Sequence, residues 1–214
     1  MRQWALVLCG FCFTALAAPP VLRVEAHTTQ DTGTMRYADR LVVRYGIAEL
    51  VLATNLAESV QRPFPGPQYP VGDEHVVLLG WSSWGGGMTT LHAMLFHADG
   101  DRLALTSSLT LTGDRVDTAF VVRRDGADRV LIGIPQPSET VHEPLDWSLK
   151  IGDGSERDID AIRKLPFVAA QRRTADTVYA PNRTRHGDGE AALPPHVAWI
   201  TATPDGFAIE ERTR

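Results

Sequence analysis

A chain of 214 residues, 43% of them apolar, is long enough for one domain with a proper core, or for two small ones. Its formal charge of −5 provides no basic excess for nucleic acid, and no Lys/Arg stripe is interleaved with aromatics. Among the 21 basic residues only Lys150 and Lys164 are Lys, a bias that points to a GC-rich bacterial genome rather than to a binding site.

The chain opens Met1-Arg2-Gln3 and then runs from Trp4 to Ala18 without a charge. That stretch suits the apolar region of a secretory signal and falls short of the ~20 residues a spanning helix needs. Ala15-Leu16-Ala17 supplies small residues at −3 and −1, so cleavage is expected after Ala17; Val24-Glu25-Ala26 offers a second site, before His27. Residues 1–17 are therefore read as a signal peptide and the product as periplasmic or secreted. Both cysteines, Cys9 and Cys12, fall inside the signal, leaving a mature chain without disulfides or thiol chemistry. Leu8 and Phe11 precede them where lipoprotein processing wants small residues, so no lipid anchor is expected. No later apolar run is long enough for a transmembrane anchor in the mature chain.

Residues 18–39, polar from His27 to Asp39, read as a flexible lead-in, with a single β-rich domain over 40–214. Arg40 to Leu56 is apolar and β-branched, with Gly46 favouring two short strands, although 48–58 also fits a helix. Arg62 to Pro70 is a loop on proline content. His75 to Trp81 has the unbroken apolar run of a strand buried on both faces, and Thr89 to His97 alternates. After the Ala98–Asp101 turn, Arg102 to Leu111 resumes as a strand, and Gly113-Asp114 reads as the next turn. Val116 to Arg123 and Arg129 to Ile134 flank Asp125-Gly126-Ala127-Asp128, a hairpin signal because Gly supplies a positive φ. Asp146 to Ile151 is a further strand. Ser155 to Leu165 spaces Ile159, Ile162 and Leu165 as a short helix. Residues 170–195 read as a long exposed loop, and Val197–Thr201 with Phe207–Glu211 as a closing hairpin. Strands joined by short turns predict a mainly β fold, an antiparallel sandwich or barrel-like domain with one short helix near 155–165.

The segment Gly80-Trp81-Ser82-Ser83-Trp84-Gly85-Gly86-Gly87 admits three readings. A strand followed by Gly-x-Ser and glycines has the outline of a nucleophile elbow. Ser82 would then be the nucleophile, with Asp146 as acid and His186 or His196 as base. Trp84, where the elbow needs a second glycine, opposes this. Trp81 and Trp84 could instead bind a ligand by stacking on sugar rings or a partner protein. The third reading is structural, glycines permitting a bulge beside tryptophans that cap a core. The histidines, His27, His75, His92, His97, His142, His186 and His196, show no zinc-binding spacing, and the acidic run around Asp153 to Asp160 lacks the calcium-loop pattern. No metal site and no cofactor are expected.

Val76-Val77-Leu78-Leu79, Gly85-Gly86-Gly87, Leu91 to Phe96, Asp99-Gly100, Gly113-Asp114-Arg115-Val116 and Asp125-Gly126 together resemble a type of exported bacterial β-domain often found in lipoproteins of unknown function. The resemblance covers about a quarter of the chain and implies a noncatalytic domain outside the cytoplasm. The expectation is thus an exported, noncatalytic binding or structural module, with glycan or another extracytoplasmic protein as partner. A serine hydrolase using Ser82 and a glycan binder using Trp81 and Trp84 are its alternatives.

Overall fold

The computed structural model of the chain describes residues 18–31, 36–58, 66–83, 88–114, 120–137, 147–152, 154, 156–157, 159–170, 177–179 and 195–211. The expected signal peptide with Cys9 and Cys12 lies outside them. So do Trp84, Gly85 to Gly87, Asp146, His142 and His186. For Trp81, Ser82 and Ser83 the description extends to the backbone alone.

The fold is a mainly β, antiparallel sandwich built from three sheets. The first is a meander of β1 (Arg23–Asp31), β2 (Arg36–Tyr45) and β3 (Ala48–Glu58). The central sheet contains β4 (Gln68–Val71), β5 (His75–Ser83), β6 (Met88–Asp99), β7 (Arg102–Asp114) and β10 (Ser148–Ile151), in the order β10-β7-β6-β5-β4. The third contains β8 (Phe120–Arg124), β9 (Val130–Pro135), β11 (Val168–Ala169), β12 (Thr177–Tyr179), β13 (His196–Thr203) and β14 (Gly206–Ile209). Its order is β11-β13-β9-β8-β12, with β14 continuing beside β13. The one helix among the described residues, α1 (Ile159–Arg163), contacts β10, and Ile162, with Leu165 just beyond the helix, joins the main core.

The central sheet is covered on both sides, as the apolar run at His75 to Trp81 predicts. Val77 and Leu79 of β5, with Leu91, Ala93 and Leu95 of β6, face the third sheet and meet Phe120, Ile132 and Ile200. Val76 and Leu78, with Phe96 and Ala98, face the first sheet and meet Leu22, Leu41 and Val43. Successive residues of a strand point to opposite faces, so only a strand between two layers keeps apolar residues at every position.

Strand β7 serves both interfaces through a bulge. Leu103 packs toward the first sheet, whereas Leu109 and Leu111 pack toward the third, although all three are odd-numbered. Between Leu95 and Phe96 the register skips from Ser107 to Leu105, so Thr106 is the extra residue. The Thr106 hydroxyl donates to the Leu95 carbonyl at 3.1 Å.

Several expectations are corrected. The segment read as a flexible lead-in over 18–39 is largely paired sheet, because Val24 and Ala26 lie against the core and β1 pairs with β2 from Arg23 onward. Leu22 is 3% exposed; its N–H donates to Gln68 Oε1 at 3.0 Å and its carbonyl accepts from Gln68 Nε2 at 2.9 Å. The open choice at 48–58 resolves as strand β3. The proline-rich loop ends before β4, whose Pro70 is accommodated because β4 is an edge strand. Gly113 and Asp114 extend β7 instead of turning: a Cβ at Gly113 would lie 2.9 Å from the Trp147 ring, so the glycine makes room for packing. Within the loop expected at 170–195, Thr177–Tyr179 forms β12 on the free edge of β8.

Candidate functional site

The segment most conspicuous in the sequence belongs to a β-hairpin. β5 runs through Gly80, Trp81 and Ser82 to Ser83, which pairs with Thr89, and Ser82 pairs with Thr90. From Met88 the chain continues as strand β6, whereas a nucleophile elbow leads from strand to helix. His196 is exposed at the start of β13, where its carbonyl accepts the Gln136 N–H at 3.1 Å. The strand directions bring Ser82 and His196 to the same end of the sandwich, on different sheets. Asp146 and Trp84 lie outside the described residues, as does the side chain of Trp81.

The opposite end is built from tight turns of all three sheets. Gly72, at φ 67°, donates its N–H to Ala127 O at 2.8 Å and so ties the β4–β5 turn to the β8–β9 turn. Gly46, at φ 57°, sits where a Cβ would be 3.3 Å from Gly100 O, so the β2–β3 turn abuts the β6–β7 turn. Positive φ and close backbone approach are both conditions that glycine meets without strain.

On this end the hairpin register aligns His75 with His97. Their rings are 4.8 Å apart between centroids and tilted by 52°. The Ala98 N–H donates to Glu74 O at 2.7 Å, fixing the start of β5 against the end of β6. The potential ligand atoms of Glu74, His97 and Asp99 all lie within 4.8 Å of one another, the one such group among the described residues. Glu74 and Asp99 are exposed and His97 is half-buried. Burial, and then the neighbouring His97, push the His75 imidazole below the usual histidine value, while Glu74 and Asp205 pull it back up. Chemically this is a mixed imidazole and carboxylate donor set, the kind that holds a divalent metal.

His92 lies on the other face of β6, in register with Gly80 and Thr110. Burial pushes its imidazole down to about 4, so it is neutral at neutral pH. Nearby on that face Thr90 and Thr112 share a hydroxyl hydrogen bond of 2.8 Å.

Spacing along the chain missed the Glu74, His97 and Asp99 group because the residues come from two strands. The signal was nonetheless present. Pairing the two apolar segments as antiparallel strands sets His75 opposite His97, and Glu74 and Asp99 come together with them.

No family model, curated protein or solved structure matches this chain.

Proposed function

We propose that the protein is an exported, noncatalytic β module of a bacterial periplasm or exterior, acting by binding or structural support. The observation that carries this reading is that Gly80 to Ser83 end strand β5 and that its antiparallel partner β6 begins at Met88. Loops carried on rigid strand pairs are common recognition elements. Because the described chain after Ser83 resumes as strand β6, it supplies no helix start whose N–H groups would stabilise an oxyanion, as an elbow requires. Trp81 belongs to the end of β5 and Trp84 follows it three residues on in the sequence; indoles so spaced can stack on a glycan or a partner protein. The resemblance at Val76 to Ile134 supports the same extracytoplasmic, noncatalytic role.

The export reading rests on the uncharged run Trp4 to Ala18 and on Ala15-Leu16-Ala17. Cleavage after Ala17 keeps Leu22 and all of β1, whereas cleavage before His27 would remove Leu22, Val24 and Ala26 from the first sheet.

The test is to treat the purified exported protein with a serine-directed fluorophosphonate alongside a glycan-array screen, and to sequence its N-terminus. The expected results are an N-terminus at Ala18 and no fluorophosphonate labelling. Labelling that disappears in Ser82→Ala would replace the noncatalytic reading with the hydrolase one, and an unprocessed N-terminus would overturn export.

A further inference from the structure

The geometry points to a divalent transition-metal site at the turn end of the sandwich, with Glu74, His97 and Asp99 as its protein ligands and one position left open. The inference goes beyond the export reading and does not depend on it.

Three features of the donor set select the ion. It combines an imidazole nitrogen with two carboxylate oxygens, which suits zinc-class ions; calcium prefers six to eight oxygens and no nitrogen. The group is three ligands from two adjacent strand ends, joined by the Ala98–Glu74 backbone hydrogen bond of 2.7 Å. His97 and Asp99 are two apart on β6 and so share one face of the strand. The backbone therefore presents the donors together before any ion arrives.

The fit requires only side-chain movement. Bonds of ~2.0–2.2 Å to a tetrahedral zinc place ligand atoms roughly 3.3–3.6 Å apart. The present separations reach 4.8 Å, and Glu74 and Asp99, both exposed, are free to rotate inward toward the half-buried His97. His75 is a positioning residue. Its ring lies 4.8 Å from that of His97, covering it and limiting its orientations. Asp205, in the β13–β14 turn, is near enough to act electrostatically on His75 and adds negative charge to the neighbourhood.

A protein ligand set with one open position leaves room for water, a substrate group or a side chain of another molecule. This places a metal-dependent contact at the opposite end of β5 and β6 from Ser83 and Met88, so the two ends can act separately.

The experiment is a titration of the purified chain, free of any histidine tag, with Zn²⁺ in competition with a chromophoric chelator. A parallel titration with Co²⁺ is monitored by its visible absorption. One equivalent should bind per chain and resist displacement by equimolar Ca²⁺. His97→Ala and Asp99→Asn should each weaken binding by roughly 100-fold, and His75→Ala by roughly tenfold, the scale seen for groups that orient a ligand. His27→Ala, an exposed position on β1, should bind as the parent does. Urea midpoints for each variant confirm that the fold is retained; Asp99→Asn, at an exposed position, keeps the test valid if His97→Ala unfolds. Stoichiometric binding unchanged in both Asp99→Asn and His97→Ala, displacement by Ca²⁺, or no stoichiometric binding at all would overturn the site.

Discussion

The two faces of the central sheet are both buried, but by different means. Toward the third sheet, β4 to β7 and β10 meet a broad apolar surface that includes Phe120, Val122, Ile132, Ile134, Ala198, Ile200 and Phe207, closed at one side by Trp147 and α1. Toward the first sheet, a smaller set of fully buried residues around Leu41, Val43, Leu78 and Phe96 is fringed by half-buried Val24, Tyr45, Leu50, Leu52 and Met94. That second face also carries polar groups, His92 and the Thr90–Thr112 pair. One interface is therefore a core in the full sense, while the other is a layer laid over a sheet whose strands the first core already holds.

The sharpest way to test this contrast is a matched pair of truncations. Phe120→Ala and Phe96→Ala remove fully buried rings from the two interfaces. Phe-to-Ala changes in cores cost about 3–5 kcal/mol, depending on how far the site collapses. Phe120→Ala should fall at the upper end and Phe96→Ala at the lower, because the first sheet can settle onto the gap. Urea denaturation of both variants measures this, and equal losses would break the distinction.

A smaller effect is specific to the overlaid face and appears with pH. The folded-state value of His92 lies near 4, against about 6.5 in an unfolded chain. Between those values the unfolded state binds more protons, so stability falls as pH drops from about 6.5 toward 4 and levels off below. The full loss from this group is on the order of 3 kcal/mol. His92→Gln should remove most of that slope in urea midpoints taken at successive pH values. His75, pushed in the same direction, leaves a residual slope of the same sign. An unchanged slope in His92→Gln would place the titrating group elsewhere.

The smallest effect concerns the seam where the layer begins. Gln68 holds Leu22 through two backbone hydrogen bonds, and Gln68→Ala should cost about 1–2 kcal/mol. Hydrogen exchange should quicken in β1 before it quickens in β5. Exchange accelerated equally in both would mean that the layer and the core open together.

Much of this architecture was legible in the chain. The hairpin turns at Asp99-Gly100, Asp125–Asp128 and Pro204–Gly206 needed only glycine chemistry and apolar flanks, and the doubly buried β5 was visible as consecutive Val and Leu. What escaped had specific causes. β1 is polar in sequence from His27 to Asp31, so its pairing with β2 rather than apolar content defines it. Thr106 was hidden because Leu103, Leu105, Leu109 and Leu111 keep a uniform alternation across the bulge, and only the register shows that Leu103 and the Leu109–Leu111 pair serve different cores while Leu105 is exposed. Gly113 resembles a turn glycine until Trp147, the residue before β10, is placed on it. The metal-binding group was missed for a similar reason: its residues are neighbours only after β5 and β6 have paired.

The strand orders carry a consequence for the rate of assembly. β1 to β3, and β4 to β7, are meanders whose neighbours along the chain are also neighbours in space. β13 instead joins β9 after β10, α1, β11 and β12 have intervened, and its pairing completes the main core. Contacts between distant parts of a chain incur loop-closure entropy before they return any stabilisation, which slows their formation. The meanders should therefore assemble early and wait for the C-terminal hairpin, whose docking sets the pace of folding.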